Sequence, residues 1–142
     1  MYDNILLPTD GSDATEATIE HATTLARTYD ATVHVLSVAD SRNRFESPSS
    51  GIAPEVWQES ELERAENAAQ AALDALPDDV TTEYIIEEGV PDSVITDHAS
   101  DADIVVMATH GRTGLDHYLI GSVTERVVRT ASAPVMTVRA DD

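Results

Sequence analysis

The sequence predicts an α/β fold, a five-stranded parallel sheet covered by helices on both faces. Three observations carry this. Short runs rich in β-branched residues recur along the 142 residues. The run Ile104-Val105-Val106-Met107 is apolar without alternation, as a strand buried on both faces must be. Stretches with apolar residues at helical spacing separate the runs, and the resulting β-α-β-α-β-α-β-α-β pattern is that of a parallel sheet. No internal repeat, low-complexity tract or second domain is visible, so one domain over residues 1–142 is expected.

The elements follow in order. Asn4 to Leu7 form a short buried strand ended by Pro8. Thr9-Asp10-Gly11-Ser12 is turn chemistry, with Asp10 or Ser12 placed to cap the next helix. That helix sets Ala22, Leu25, Ala26 and Tyr29 at helical spacing. Thr32 to Val38 is the second strand, and the helix between the two strands makes a right-handed βαβ unit. Ala39 to Ala53, polar and irregular with Pro48, Ser49, Ser50 and Gly51, reads as a loop. Pro54 fits the first turn of a long helix, whose inward face is Leu62, Ala65, Ala69, Ala72, Leu73 and Leu76, and Pro77 stops it. Its glutamates (Glu55, Glu59, Glu61, Glu63, Glu66) read as a solvated face, since calcium or magnesium sites need oxygens converging from a turn.

Val80 to Glu87 is a third strand, polar enough to lie at a sheet edge. Gly89 and Pro91 frame the turn into a helix carrying Val94, Ile95, His98 and Ala99. Asp103 leads into the fourth strand, and a loop with three glycines follows. Ser122-Val123-Thr124-Glu125 then matches the S-x-x-E capping box, and Val127, Val128 and Ala131 form the buried stripe of the last helix. Pro134 to Arg139 closes the chain as a fifth strand.

Composition removes several function classes. Cysteine is absent, which excludes disulfides, thiolate catalysis and cysteine metal sites. His21, His34, His98 and His117 share no spacing that would make a metal site. There are 27 acidic residues against 8 basic ones, every basic one is arginine, and the net charge is -19. Nucleic acid and anionic membrane both require positive charge, so neither is an expected partner. No 18-residue apolar run and no charged-then-apolar leader is present, and a cytoplasmic location is expected. An acidic surface without lysine suits a salt-rich, halophilic cytoplasm: at about 1 M salt the Debye length is only about 3 Å, and self-repulsion is largely screened.

In an open parallel sheet, ligands bind beyond the carboxyl ends of the strands, where strand order reverses. With strands one and four as neighbours at that switch, two loops face each other there: Pro8 to Ser12, and the glycine loop running into Ser122. A strand, a glycine loop and a helix N-terminus in this order make a cradle for an anionic group such as phosphate.

These residues resemble the universal stress protein family over essentially the whole chain. The family's apolar first strand followed by Pro-Thr-Asp and a small residue is matched by Pro8-Thr9-Asp10-Gly11-Ser12, its Gly-x-Pro by Gly89-Val90-Pro91, and its Val-Met strand end by Val106-Met107. Its signature Gly-x2-Gly-x9-Gly-Ser/Thr is matched by Ala108-Thr109-His110-Gly111, nine residues from Arg112 to Ile120, and Gly121-Ser122. Alanine stands at the first glycine; its methyl crowds any ligand that approaches the backbone closely.

The resemblance implies a Rossmann-like sheet of the adenine nucleotide alpha hydrolase type, with strand order 3-2-1-4-5. It also implies an ATP (or AMP/ADP) site. Pro8, Thr9 and Asp10 line it, with Asp10 meeting ribose hydroxyls or nucleotide-bound Mg, and the Val38 backbone meets adenine. Met107 and Ala108 close the strand end, and Gly111 and Gly121 let the backbone approach the phosphates. Ser122, Val123 and Thr124 offer donors at the helix start, where the dipole favours negative charge; Ser122 serves equally as the capping residue. Arg112 is the only cation inside the loop, and His110 stands beside it. The family further implies a homodimer through Val135 to Val138, an edge strand being a pairing template.

The implied function is an ATP-binding regulatory, stress-response dimer with little or no turnover and no catalytic residue. An ATP pyrophosphatase would carry an SGG-like loop where Asp10-Gly11-Ser12-Asp13 has one glycine, and a phosphorelay receiver needs a lysine. The alternatives are a nucleotide-free interaction dimer, which rests on Ala108, and a slow ATP-hydrolysing enzyme.

Overall fold

Five strands and four helices alternate through the chain: β1 (Asn4–Thr9), α1 (Ala14–Tyr29), β2 (Thr32–Asp40), α2 (Pro54–Ala75), β3 (Thr81–Gly89), α3 (Pro91–Ala99), β4 (Ile104–Ala108), α4 (Ser122–Thr130) and β5 (Val135–Val138). The structure, a computed structural model, describes residues 2–12, 14–41, 54–109 and 121–139, with the backbone alone over 54–58. All pairings are parallel, in the order β3-β2-β1-β4-β5. This is the order expected, with β3 and β5 at the two edges.

The β-branched runs that mark the strands also fill both faces of the sheet. On one face Ile5, Leu7, Val33, Val35, Ile104 and Val106 meet Ala22 and Ala26 of α1 and Ala69, Ala72 and Leu76 of α2. On the other, Leu6, Leu36, Val38, Val105 and Met107 meet Val94, Ile95 and Ala99 of α3 and Val127 of α4. Leu62 and Leu73, expected on the inward face of α2, are only half-buried. Tyr29 is exposed at the end of α1, where its ring packs edge-on against Tyr2 with centroids 5.0 Å apart. Val128 is 48% exposed, so the buried side of α4 is Thr124 and Val127 instead.

Strand boundaries shift by one or two residues from the sequence expectation, β5 among them at Val135–Val138; three shifts bear on how the strands pair, and two of these shape the crevice. Pro8 does not end β1; the strand continues to Thr9, paired to β2 throughout, with Pro8 opposite Leu36 and Thr9 opposite Ser37. The Asp3 carbonyl accepts from Thr32 on the β2 side, whereas the Asn4 carbonyl accepts from Asp103 on the β4 side. By the period-2 rule, the backbone groups of Leu6 and Pro8 therefore also face β4. Proline has no N–H to give there, and the β1–β4 ladder ends at Leu6 opposite Val105. The proline sits inside a central strand because its missing donor faces the side where pairing has ceased. Secondly, β2 runs on through Ala39 and Asp40, which belong to the strand and not to a loop. The third difference moves β3 from 80–87 to Thr81–Gly89, opposite the full length of β2.

Candidate functional site

The crevice at the carboxyl end of the sheet follows from these lengths. Extending the β1–β4 register two and three residues sets Pro8 level with Met107 and Thr9 level with Ala108, so the two strand ends stand side by side without pairing. β2 extends past both. Thr32 donates toward β1, so the backbone groups of Val38 and Asp40 also turn that way. The ladder closes at Thr9 opposite Ser37, a rung that uses the Val38 N–H, so the Val38 carbonyl and the Asp40 N–H lie beyond the last residue of β1.

The loop after β1 is held by its own side chains. The Asp10 carboxylate accepts the Ser12 N–H at 2.9 Å, and Thr9 Oγ1 accepts the Gly11 N–H at 3.3 Å. Asp10 thus closes an Asx-type turn and does not cap α1, which starts four residues later at Ala14. Ser12 does not cap it either: its Oγ is buried and finds no hydrogen-bond partner among the described residues. A buried hydroxyl without a partner costs about 1–3 kcal/mol, which a bound polar group or a water at this loop would recover. Gly11 has φ of +80°, a left-handed conformation that favours glycine, and a Cβ there would stand 3.2 Å from Ala68 Cβ on α2, a tight contact that the helix would have to yield to.

Across the crevice, α4 begins without a side-chain cap. Gly121 is the N-cap, with φ −63° and ψ 156°, and Ser122 is already the first helical residue. The expected capping box is therefore not formed: the Glu125 N–H goes to the Gly121 carbonyl, and the Glu125 carboxylate pairs with Arg129 at 2.9 Å. An S-x-x-E pattern is blind to a glycine one position earlier that takes the N-cap. The N–H groups of Ser122, Val123 and Thr124 consequently point out of the helix start, the arrangement that receives anions. This helix start is pinned to β4. Gly121 donates its N–H to the Thr109 carbonyl at 2.6 Å, and the buried Thr124 donates its hydroxyl to the Ala108 carbonyl at 2.8 Å.

The pinning brings Met107 (buried), Ala108 (half-buried), Gly121, Ser122, Val123 and Thr124 together on one wall, with Pro8, Thr9 and Asp10 on the wall beside it and Val38 at the far end. Gly111, Arg112 and His110 lie outside the described residues. Among the described residues no group of three or more His, Asp or Glu side chains converges to hold a metal.

Sequence reasoning missed Arg64. Its guanidinium lies over the ends of β1 and β2, with Nη1 donating to the Asp10 carbonyl at 3.1 Å and Nη2 to the Val38 carbonyl at 2.9 Å. Nε and Nη2 both donate to Glu61 Oε1, at 3.0 and 2.7 Å, and the same Glu61 oxygen accepts the Asp40 N–H at 3.1 Å. Glu61, expected on the solvated face, is 8% exposed. The available signal was an i, i+3 Glu–Arg pair about two turns into the helix that covers the β2 end, with Arg64 the only arginine in that helix.

Comparison with known proteins agrees with this architecture. The universal stress protein family matches residues 1–139. A universal stress protein of Methanocaldococcus jannaschii is 36% identical over 98% of this chain and 83% of its own length. Among solved structures, hypothetical protein MJ0577 superposes with a TM-score of 0.85 at 31% identity, over 100% of this chain and 99% of that one. More distant folds include a universal stress protein in complex with cAMP (TM-score 0.62, 22% identity, over 99% of this chain and 98% of that one). The Archaeoglobus fulgidus universal stress protein in complex with dAMP is similarly related (TM-score 0.59, 20% identity, over 96% and 97%). At such identities the likeness is one of fold.

Proposed function

The chain belongs to the universal stress protein family, and from that premise we propose that it is an adenine-nucleotide-binding regulator, taking ATP, ADP or AMP in the crevice with little or no turnover. One observation carries the reading. The uncapped N-terminus of α4, seated against the end of β4, faces a strand edge where the Val38 carbonyl and Asp40 N–H reach beyond β1. The first suits phosphate and the second suits a base.

The residues divide by chemistry. Gly121, Ser122, Val123 and Thr124, with Gly111 and Arg112 of the preceding loop, would hold the phosphates, where the helix dipole favours negative charge. Asp10 would hold ribose hydroxyls or the Mg carried by the nucleotide. Pro8, Thr9, Met107 and Ala108 would form the floor, and the Val38 backbone would read the base. The nucleotide supplies an anionic chain for the amides and a planar donor–acceptor edge for the strand. Distant relatives in complex with cAMP and dAMP support the choice of an adenine ligand.

Two further features complete the reading. Copies would pair through β5, which among the described residues is an edge strand bonded to β4 alone. A charge of -19 suits a salt-rich cytoplasm. Calorimetric titration with ATP and with AMP at high KCl, with and without Mg²⁺, tests the proposal. Saturable binding in the micromolar range is expected. No binding up to about millimolar nucleotide, a threshold of roughly −4 kcal/mol, refutes it and leaves a nucleotide-free interaction dimer.

A further inference from the structure

We propose that the Glu61–Arg64 pair is an intramolecular stand-in for the base: it occupies the β2 edge and must swing away before a nucleotide can seat. This rests on the adenine-binding reading above and concerns the same site.

The β2 edge offers a carbonyl at Val38 and an N–H at Asp40, two residues apart and facing the same way. An adenine edge places an exocyclic amino donor beside a ring-nitrogen acceptor, which matches a carbonyl followed two residues later by an N–H. Arg64 and Glu61 present the same order. Nη2 donates to Val38 at 2.9 Å, Oε1 accepts from Asp40 at 3.1 Å, and the two side-chain atoms are themselves 2.7 Å apart. Strand length explains why the stand-in exists. β2 outruns β1, and an edge at the base of a crevice needs partners for its polar groups.

The pair is anchored but not sealed. Arg64 is further tied through Nη1 to the Asp10 carbonyl, yet its side chain keeps 24% exposure against 10% for Glu61. An arginine on a flexible stem can leave the edge, whereas the backbone it covers cannot move without breaking the sheet. Apparent affinity is then the intrinsic affinity scaled by the fraction of molecules in which the pair has moved off. Displacement also releases the Asp10 carbonyl, so one side-chain motion opens both the base edge and the end of β1.

Isothermal titration of the full chain at high KCl tests this, using AMP and, as a base-free probe, ribose 5-phosphate. R64L keeps the apolar stem and removes the donor. It is expected to bind AMP about tenfold tighter, equivalent to about 1.4 kcal/mol, with no gain for ribose 5-phosphate. E61Q keeps the shape and loosens the hold on Arg64, and an AMP gain of about threefold is expected, by the same conversion a smaller shift. Circular dichroism checks both folds. Should R64L fail to fold, E61Q decides alone, its gain supporting the stand-in and its absence overturning it. AMP affinity unchanged or weaker in a folded R64L overturns the stand-in while the nucleotide reading stands, because Arg64 would then belong to the site. If wild type and both variants ignore AMP and ribose 5-phosphate alike, the nucleotide reading fails and takes the stand-in with it.

Discussion

Gly11→Ala isolates the contact that sets the β1–α1 loop against α2. Two penalties combine there. The residue has φ of +80°, and a left-handed conformation costs a non-glycine residue roughly 1–2 kcal/mol. The added Cβ would stand 3.2 Å from Ala68 Cβ and 3.7 Å from its Cα. Ala68 is buried on a long helix and cannot give way as a flexible side chain would, so overpacking adds about 1 kcal/mol at the low end of its range. The expected loss is thus about 2–3 kcal/mol, read by guanidinium chloride unfolding at fixed KCl. Ala68→Gly separates the two terms. Alone it costs about 1 kcal/mol of helix propensity. In the double variant it relieves the close contact but not the backbone conformation, so a favourable coupling of about 1 kcal/mol is expected from the cycle. A loss under about 0.5 kcal/mol for Gly11→Ala, at the level of an ordinary surface substitution, would refute the reasoning about the backbone. Strict additivity of the two changes would refute the contact.

Thr124→Val keeps the shape but leaves the Ala108 carbonyl without its 2.8 Å donor; a loss of about 1–2 kcal/mol is expected, seen as a fall of several degrees in Tm. Asp103→Asn tests a pH dependence. The backbone N–H groups of Asn4 and Asp3 hold the Asp103 carboxyl below the usual carboxylate range, so its stabilisation is complete above the unfolded value of about 3.9 and disappears as pH falls through the lower folded value. The variant should therefore be less stable than wild type at neutral pH, with the gap closing under acid unfolding; a gap independent of pH would refute the assignment. Thr137→Pro tests pairing through β5. The Pro134 and Val138 carbonyls accept from Val105 and Thr109 on β4, so the Thr137 N–H faces the open edge, and proline there should convert a sedimenting dimer to monomer with the sheet intact. Ala108→Gly removes the one departure from the glycine signature, and tighter binding of AMP is expected if the methyl crowds the ligand.

The inner strands β1, β2 and β4 were legible because burial on two faces demands apolar, often β-branched residues without alternation, and β3 was placed at an edge by its polar residues. Parallel pairing and the place of the crevice followed from alternation and the switch-point rule, whereas the strand order came with the family resemblance. What escaped were matters of direction. A proline reads as a stop because sequence does not reveal which neighbour its absent donor faces. Ser122 and Glu125 satisfy a capping pattern equally well when the cap has moved to Gly121. Asp10 reads as a cap although its carboxylate closes a turn on Ser12. Arg64 was hidden for a different reason: among the many glutamates of α2, one buried ion pair looks like any solvated i, i+3 couple, and only the overhang of β2 gives it a target. The placement proposed for the nucleotide groups rests on family likeness and on this geometry together.

The proline within β1 has a thermodynamic consequence. A gap in a sheet is normally kept open by a loop or a ligand, both of which lose entropy to do it. Here the gap is written into covalent structure, since a nitrogen without hydrogen has nothing to offer β4, and the ladder stops at Leu6 in every molecule of the population. The rung that the Pro8 N–H would have made is therefore missing whether or not anything is bound, and no arriving molecule has to break it. Amide exchange should record this as an early end to protection on the β4 side of the crevice, independent of whether anything is bound.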